Sequence, residues 1–329
     1  MSVDHAEVYA PEFGHQHLSN HFPMAAFALK KLGADADSIE NLNKNNLKSL
    51  DLNSDRPICL DIKESNFGWY LGKREAYSGY FAYFKNKVVI GKELPWIDNL
   101  AKGVSAGAFH ALIRVGYGLD AHDATEITAG LAYMADSFLM VVPEKNRSPH
   151  GSSQSVADFA QELVTRRLAG ELEALPSKGV IFERMNLTAQ DDTRQKIISG
   201  AYNLNKLSLE QVAKTSLDIF LRTNNFTALH AVTASHAARL VLPYVGDKEA
   251  FIRELFAGIV TAVLTIPSEE FKPIKFSSES PLSPEELLER GRACTDSHDI
   301  KFVYSCLEEY REYGDTRYLA AAELRLNGW

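Results

Sequence analysis

Ser208-Leu-Glu-Gln-Val-Ala-Lys-Thr-Ser-Leu-Asp-Ile-Phe-Leu221 is the stretch whose reading decides the fold class. Ser208 followed three positions later by Gln211 is a capping box, in which each side chain satisfies a backbone N–H at the start of a helix. An apolar run follows at once, so the segment reads as a helix with a defined beginning. The same device recurs elsewhere. Ser283-Pro-Glu-Glu286 adds Pro284 at the first helical position, where a missing N–H costs nothing. Asp123-Ala-Thr-Glu126 opens EITAGLAYMADSFL, while Ser19 is placed to cap the segment that follows it and Gly33 to end it. Val156, Phe159 and Leu163, then Leu168, Leu172 and Leu175, continue the helical period. One short β-branched run, KVVIG at 87–91, offers a strand or a helix extension. Loops are expected at 41–57, 143–155, 186–193 and 267–284. The expectation is an all-α, single-domain helical array over residues 1–329 around a central cavity. Its two halves are joined by a surface crossing near 143–155.

Composition narrows the function classes. The chain has 43 acidic against 35 basic side chains, a net charge of −8, and no Lys/Arg-rich block. Such a surface repels nucleic-acid phosphates and anionic membranes. Three cysteines, Cys59, Cys294 and Cys306, form no CxxC and cannot all pair, which suits a reducing cytoplasm. The N-terminal residues lack the pattern of a signal peptide, and the longest apolar runs, such as LFAGIVTAVLTI, are too short to span a bilayer. The reading is a soluble cytoplasmic protein.

Four of the ten histidines lie in helical, otherwise apolar stretches: His21, His110, His230 and His298. Burying an imidazole without a hydrogen-bond partner or a metal is costly. A single such residue is ordinarily a satisfied core histidine, but four on separate helices suggest one shared polar interior. His236 stands six residues after His230, about 240° around a helix, and is read as structural or supporting. His5, His15 and His17 fall in a polar, irregular segment, and His122 and His150 in turns. Lys301 follows His298 at i+3 and Ser305 at i+7. Lys301 either snorkels to solvent or lies buried near a cation, where it loses its proton. A neutral amine adds carbon dioxide, and the carbamate formed is an anionic oxygen ligand. Cys294, one turn before His298, is the rival ligand on that face. No HExxH occurs, but His298-Asp299 is an HD dipeptide. This leaves a metal-dependent HD-type phosphohydrolase open, with Asp299 as ligand and Asp315 as downstream acid. A non-catalytic helical ligand-binding protein is the third reading. Tyr77, Tyr80, Phe81 and Phe84 make an aromatic stripe that is either core or cavity wall.

The segments NHFPMAAFALKKLGA (20–34), GAFHALIRVGYGLD (107–120), ALHAVTAS (228–235) and DSHDIKFVYSCLEEY (296–310) resemble the questin oxidase-like family. So, more weakly, does WYLG with the tyrosine-rich stretch after it (69–84). Fungal members of that family open anthraquinone rings during polyketide biosynthesis. The resemblance implies a largely helical oxidoreductase with a non-haem iron held by four histidines and a carboxylated lysine. Carried over residue by residue, these are His21, His110, His230, His298 and Lys301. It further implies an oxygenase that cleaves a small aromatic, anthraquinone-type ring with dioxygen. Trp69 and the Tyr77–Phe84 stripe would then form part of the pocket wall. Arg114 and Tyr117, one and two turns beyond His110, would orient a phenolate or carbonyl oxygen. The resemblance leaves NADPH use open, and with no GxGxxG after a strand the sequence offers no Rossmann site for it. Neither the natural substrate nor the oligomeric state can be read from these residues.

Overall fold

The computed structural model describes residues 5–47, 49–53, 60–92, 94–148, 151–274 and 281–327. Within them, sixteen α-helices stand beside one antiparallel pair of two-residue strands, Glu12–Phe13 and Leu18–Ser19, so the fold is all-α. The capping signals act as the sequence predicts. Ser208 and Gln211 exchange bonds across the start of Leu209–Thr223, and Ser283 and Glu286 do the same for Pro284–Ala293. Asp123 accepts from Thr125 N and Glu126 N at the head of Ala124–Asp136. Gly33, at φ +84°, ends Phe22–Lys31 with bonds from Gly33 N to Lys30 O and from Ala34 N to Leu29 O. These two crossed bonds make a Schellman turn.

Other expectations fail for identifiable reasons. Ser19 does not cap its helix: its hydroxyl lies 2.6 Å from the Tyr133 hydroxyl, and His21 occupies the N-cap position. Residues 41–57 are not all loop, since Ala36–Leu47 is helical, and part of the rest lies outside the described residues. The polar cluster at 186–193 is a junction between helices Ile181–Gln190 and Asp192–Tyr202, where Asp191 accepts from Arg194 N. Asp191 there caps a helix rather than marking a loop. KVVIG takes neither regular form. Helix Val156–Leu168 ends before Leu172, which adopts φ +56°. His5 lies in the short helix His5–Val8, buried against Tyr9 and Phe22, and not in an irregular segment.

Four helices matter most for function: Phe22–Lys31, His110–Asp120, Phe226–Val241 and Ser297–Tyr313. They close a ring of neighbours, each packing against two others of the set. The approach of His110–Asp120 to Phe226–Val241 is close because Gly116 faces Ala237. A Cβ on Gly116 would stand 2.8 Å from the Ala237 carbonyl oxygen. Gly116→Ala should therefore push these two helices apart and destabilise the fold by about 1–3 kcal/mol, read as a lower urea midpoint. Gly68→Ala, which meets nothing within 4 Å, is the control. Equal midpoints for both variants would show that the close approach is not needed.

Candidate metal centre

All four ring helices present their N-terminal ends to the same interior point. His21 is the N-cap of Phe22–Lys31, and His110 is the first residue of its helix. His298 is the second residue of Ser297–Tyr313, and His230 and Lys301 each lie one turn further in. Nitrogens of His21, His110 and His298 fall within 4.8 Å of one another. The His21 ring centre is 4.5 Å from that of His110 and 4.3 Å from that of His298. His230 Nε2 stands 3.2 Å from His110 Nε2. Lys301, 1% exposed, places Nζ 2.8 Å from His21 Nδ1. The structure thus brings together all five residues that the family resemblance singles out.

Local sequence explains how each ring is held. Gly107, Ala108 and Phe109 adopt φ of +54°, +54° and +71°, a run of left-handed residues immediately before His110. Such conformations are costly for non-glycine residues and persist where the surroundings impose them. Gly107 has no alternative, because a Cβ there would lie 2.4 Å from the Tyr133 hydroxyl. The turn delivers the Gly107 carbonyl to His110 Nδ1 at 2.5 Å. His230 Nδ1 meets the Phe226 carbonyl at 2.7 Å. Asp296 caps its helix through His298 N and also reaches His298 Nδ1 at 3.3 Å. In His110, His230 and His298 the outer nitrogen is tied to an oxygen acceptor, the support that metal-binding histidines require, whereas His21 Nδ1 meets Lys301 Nζ.

This anchoring has a chemical consequence. With both Nδ1 hydrogens donated to carbonyls, His110 Nε2 and His230 Nε2 face each other as bare lone pairs. No hydrogen bond can join them, and only a proton or a cation between them relieves the contact. Protonation is opposed. Burial holds the His21, His110 and His230 imidazoles well below the ordinary value, and the neighbouring Lys301 and histidines add to it. Burial also lowers His298, with Asp296 acting against it, and pulls the Lys301 ammonium down to about 7. Neutral nitrogens converging without a proton form a donor set suited to a borderline transition metal.

The cluster forms one wall of a cavity of about 430 Å³. Phe226 packs edge-on to His230 and His298, with ring centres 4.8 and 4.4 Å away, and Phe182 and Ile181 add apolar surface. Sequence reasoning missed the polar residues here. Glu12, 1% exposed, accepts from Arg74 Nε at 2.8 Å and from the Tyr133 hydroxyl at 3.2 Å. Arg184 and His17 also line this space. These residues come from isolated positions with no motif around them. Only the GAFH stretch, through its glycine, hinted at a special turn.

Other expected site residues lie elsewhere. Arg114 is buried in an ion pair with Glu126, Nε to Oε2 at 2.7 Å, and does not line the cavity. The Tyr117 hydroxyl meets Ser305 Oγ at 3.0 Å, nearly two turns below the cluster. Tyr80 and Phe84 are core residues packed on Phe67, and Trp69 is 71% exposed, so the aromatic stripe is not a cavity wall. Aromatic spacing at i, i+3, i+4, i+7 marks a buried helix face but not what covers it. His236, fully buried, bonds Ser305 Oγ through Nδ1. Cys294 faces the Arg290 carbonyl instead of the cluster. Asp299 pairs with Arg325 at 2.6 Å and Asp315 with Arg317, so the carboxylates of an HD site do not assemble beside His298. His150 lies outside the described residues.

A family model, questin oxidase-like, matches residues 18–306. The chain belongs to that family. No curated protein matches it. Membership suggests an oxidoreductase, and the span includes all five clustered residues.

The buried imidazoles make stability depend on pH. Their folded pKa values lie below the unfolded value of 6.5, so the unfolded chain binds more protons once the pH falls below that value. Metal-free protein should lose stability progressively from about pH 6.5 downward, by about 1.4 kcal/mol per pH unit for each histidine involved. Lys301 acts in the same direction between its folded value near 7 and its unfolded value of 10.5. Chemical denaturation of chelated protein at pH 5.5 and 8 measures this, and equal stability would contradict it.

Proposed function

We propose that the chain is a non-haem iron-dependent oxygenase that acts on an aromatic, anthraquinone-type substrate with oxidative ring cleavage. The observation that carries this reading is the convergence of four imidazoles, three of them anchored from behind, and a buried amine on one point at the wall of an aromatic-lined cavity. Family membership supplies the reaction class. His21, His110, His230, His298 and Lys301 would hold the iron, with Lys301 carboxylated. Iron bound there would supply the redox chemistry with dioxygen that side chains lack.

The protein's own groups do the positioning. Gly107 O, Phe226 O and Asp296 fix three rings, so that their inner nitrogens point at one place. Lys301 has the properties carbamate formation needs: burial keeps a share of the amine neutral near pH 7, and only the neutral amine adds carbon dioxide. Four helix N-termini favour the negative charge that results. Phe226 and Phe182 give a flat ring apolar faces to lie against and exclude water. The Tyr133 phenol, raised well above its ordinary value by burial and by Glu12, stays protonated and holds its hydrogen at the cavity wall.

Metal analysis of purified protein tests the first part. Iron at about one equivalent supports the reading, and a chain that retains no metal under iron-replete growth refutes it. Oxygen uptake with a panel of hydroxyanthraquinones tests the second. Lys301→Ala should reduce metal occupancy about 10–100-fold or more, the range seen when metal-supporting groups are lost. Added bicarbonate should speed metal recovery in chelated wild type and leave Lys301→Ala unchanged. A Cys294→Ala protein should behave as wild type.

A further inference from the structure

Two arginines line the cavity, and their surroundings differ. Arg74 is neutralised by Glu12 and lies 5.5 Å over the Phe182 ring. Arg184, on helix Ile181–Gln190, has no such partner. Its guanidinium reaches two neutral acceptors, the Thr265 carbonyl and the Thr227 hydroxyl, each at 3.4 Å, the outer limit of a hydrogen bond. Its Nε is buried without any partner. Glu270, the acid whose charge it feels, is already engaged by Asn225 Nδ2 at 2.6 Å. Among the described residues no carboxylate forms an ion pair with Arg184. A guanidinium is never discharged at neutral pH, so its charge stands against a mostly apolar wall with loose hydrogen bonds alone.

Its location is fixed by the neighbour it touches. Thr227 precedes His230 by three residues, so the guanidinium sits against the first turn of the helix that carries one of the clustered imidazoles. Phe226, next to Thr227, contacts both His230 and His298. Phe226, Arg184 and the histidines line the same cavity, so an aromatic ring bound there can meet all of them.

We infer that Arg184 is a specificity-determining residue that binds an anionic oxygen substituent, a carboxylate or a phenolate, on the edge of the aromatic substrate. This rests on the proposed aromatic substrate class and adds its charge. The planar fork donates two parallel N–H bonds to such a group, and those bonds replace the weak contacts to Thr227 and Thr265. Arg74 cannot serve, because Glu12 already holds it.

Equilibrium binding to metal-free protein tests the inference without turnover. The probes are aromatic carboxylates of one to three rings, each with its methyl ester, and hydroxyanthraquinones, each with its methyl ether. Wild type should bind the acid about 10–100-fold more tightly than its ester, the scale of a charged hydrogen bond. Arg184→Met keeps the apolar stem and should reduce that preference to about twofold, leaving ester affinity unchanged. Arg184→Lys should recover part of it. If the preference appears only with ionised phenols against their ethers, the anion is a phenolate. Equal binding of charged and neutral probes by wild type, binding of none of them, or a preference that survives Arg184→Met each overturns the inference. Acids that bind through Arg184 but consume no oxygen in the iron-loaded enzyme would sink the proposed activity alone.

Discussion

Everything at the centre of this molecule depends on the contact between His110 Nε2 and His230 Nε2 at 3.2 Å. Two neutral imidazoles do not approach in this way by preference, because their lone pairs repel. The contact exists because the backbone fixes both rings from behind, one through a strained left-handed turn and the other through a carbonyl in its own helix. The Gly116–Ala237 approach presses the two helices together. Packing energy from the surrounding helices thus maintains an arrangement that a bound cation would relieve. A cation held there would consequently stabilise the fold, since both draw on this one constraint.

The donor set is unusual in containing no fixed carboxylate. Glu12 belongs to Arg74 and Tyr133, Asp299 to Arg325, and Asp296 contacts His298 only from behind. Negative charge at the cluster would have to come from a modified Lys301 or from a bound molecule. Four helix N-termini at the same place make the region receptive to that charge.

Helix starts were legible because their signals are local. Ser208/Gln211, Asp123/Glu126 and Ser283/Glu286 each act within four residues, and side-chain chemistry alone determines them. The five clustered residues could be shortlisted because an imidazole or amine in an apolar stretch is anomalous by itself. Their convergence was not visible from spacing and rested on the resemblance. Arg114 and Tyr117 lie away from the cavity, which their spacing could not show, because helical phase does not tell which neighbour covers a face: Glu126 and Ser305 meet them. Glu12, Arg74 and Arg184 escaped notice for the opposite reason. Charged residues usually sit in solvent, and nothing near them in the chain reports that a cavity lies alongside.

The pairing of Lys301 with His21 joins groups 280 positions apart. Loop closure on that scale delays such contacts until both segments exist and the intervening helices have packed. During synthesis the His21 and His110 helices emerge early and the Ser297–Tyr313 helix late. For most of that time the nascent chain offers only part of the donor set. The order in which the ribosome releases the chain therefore delays the complete cluster of five side chains until the last of its helices has emerged. The five nitrogens stand together only in a chain that has already closed its ring of helices.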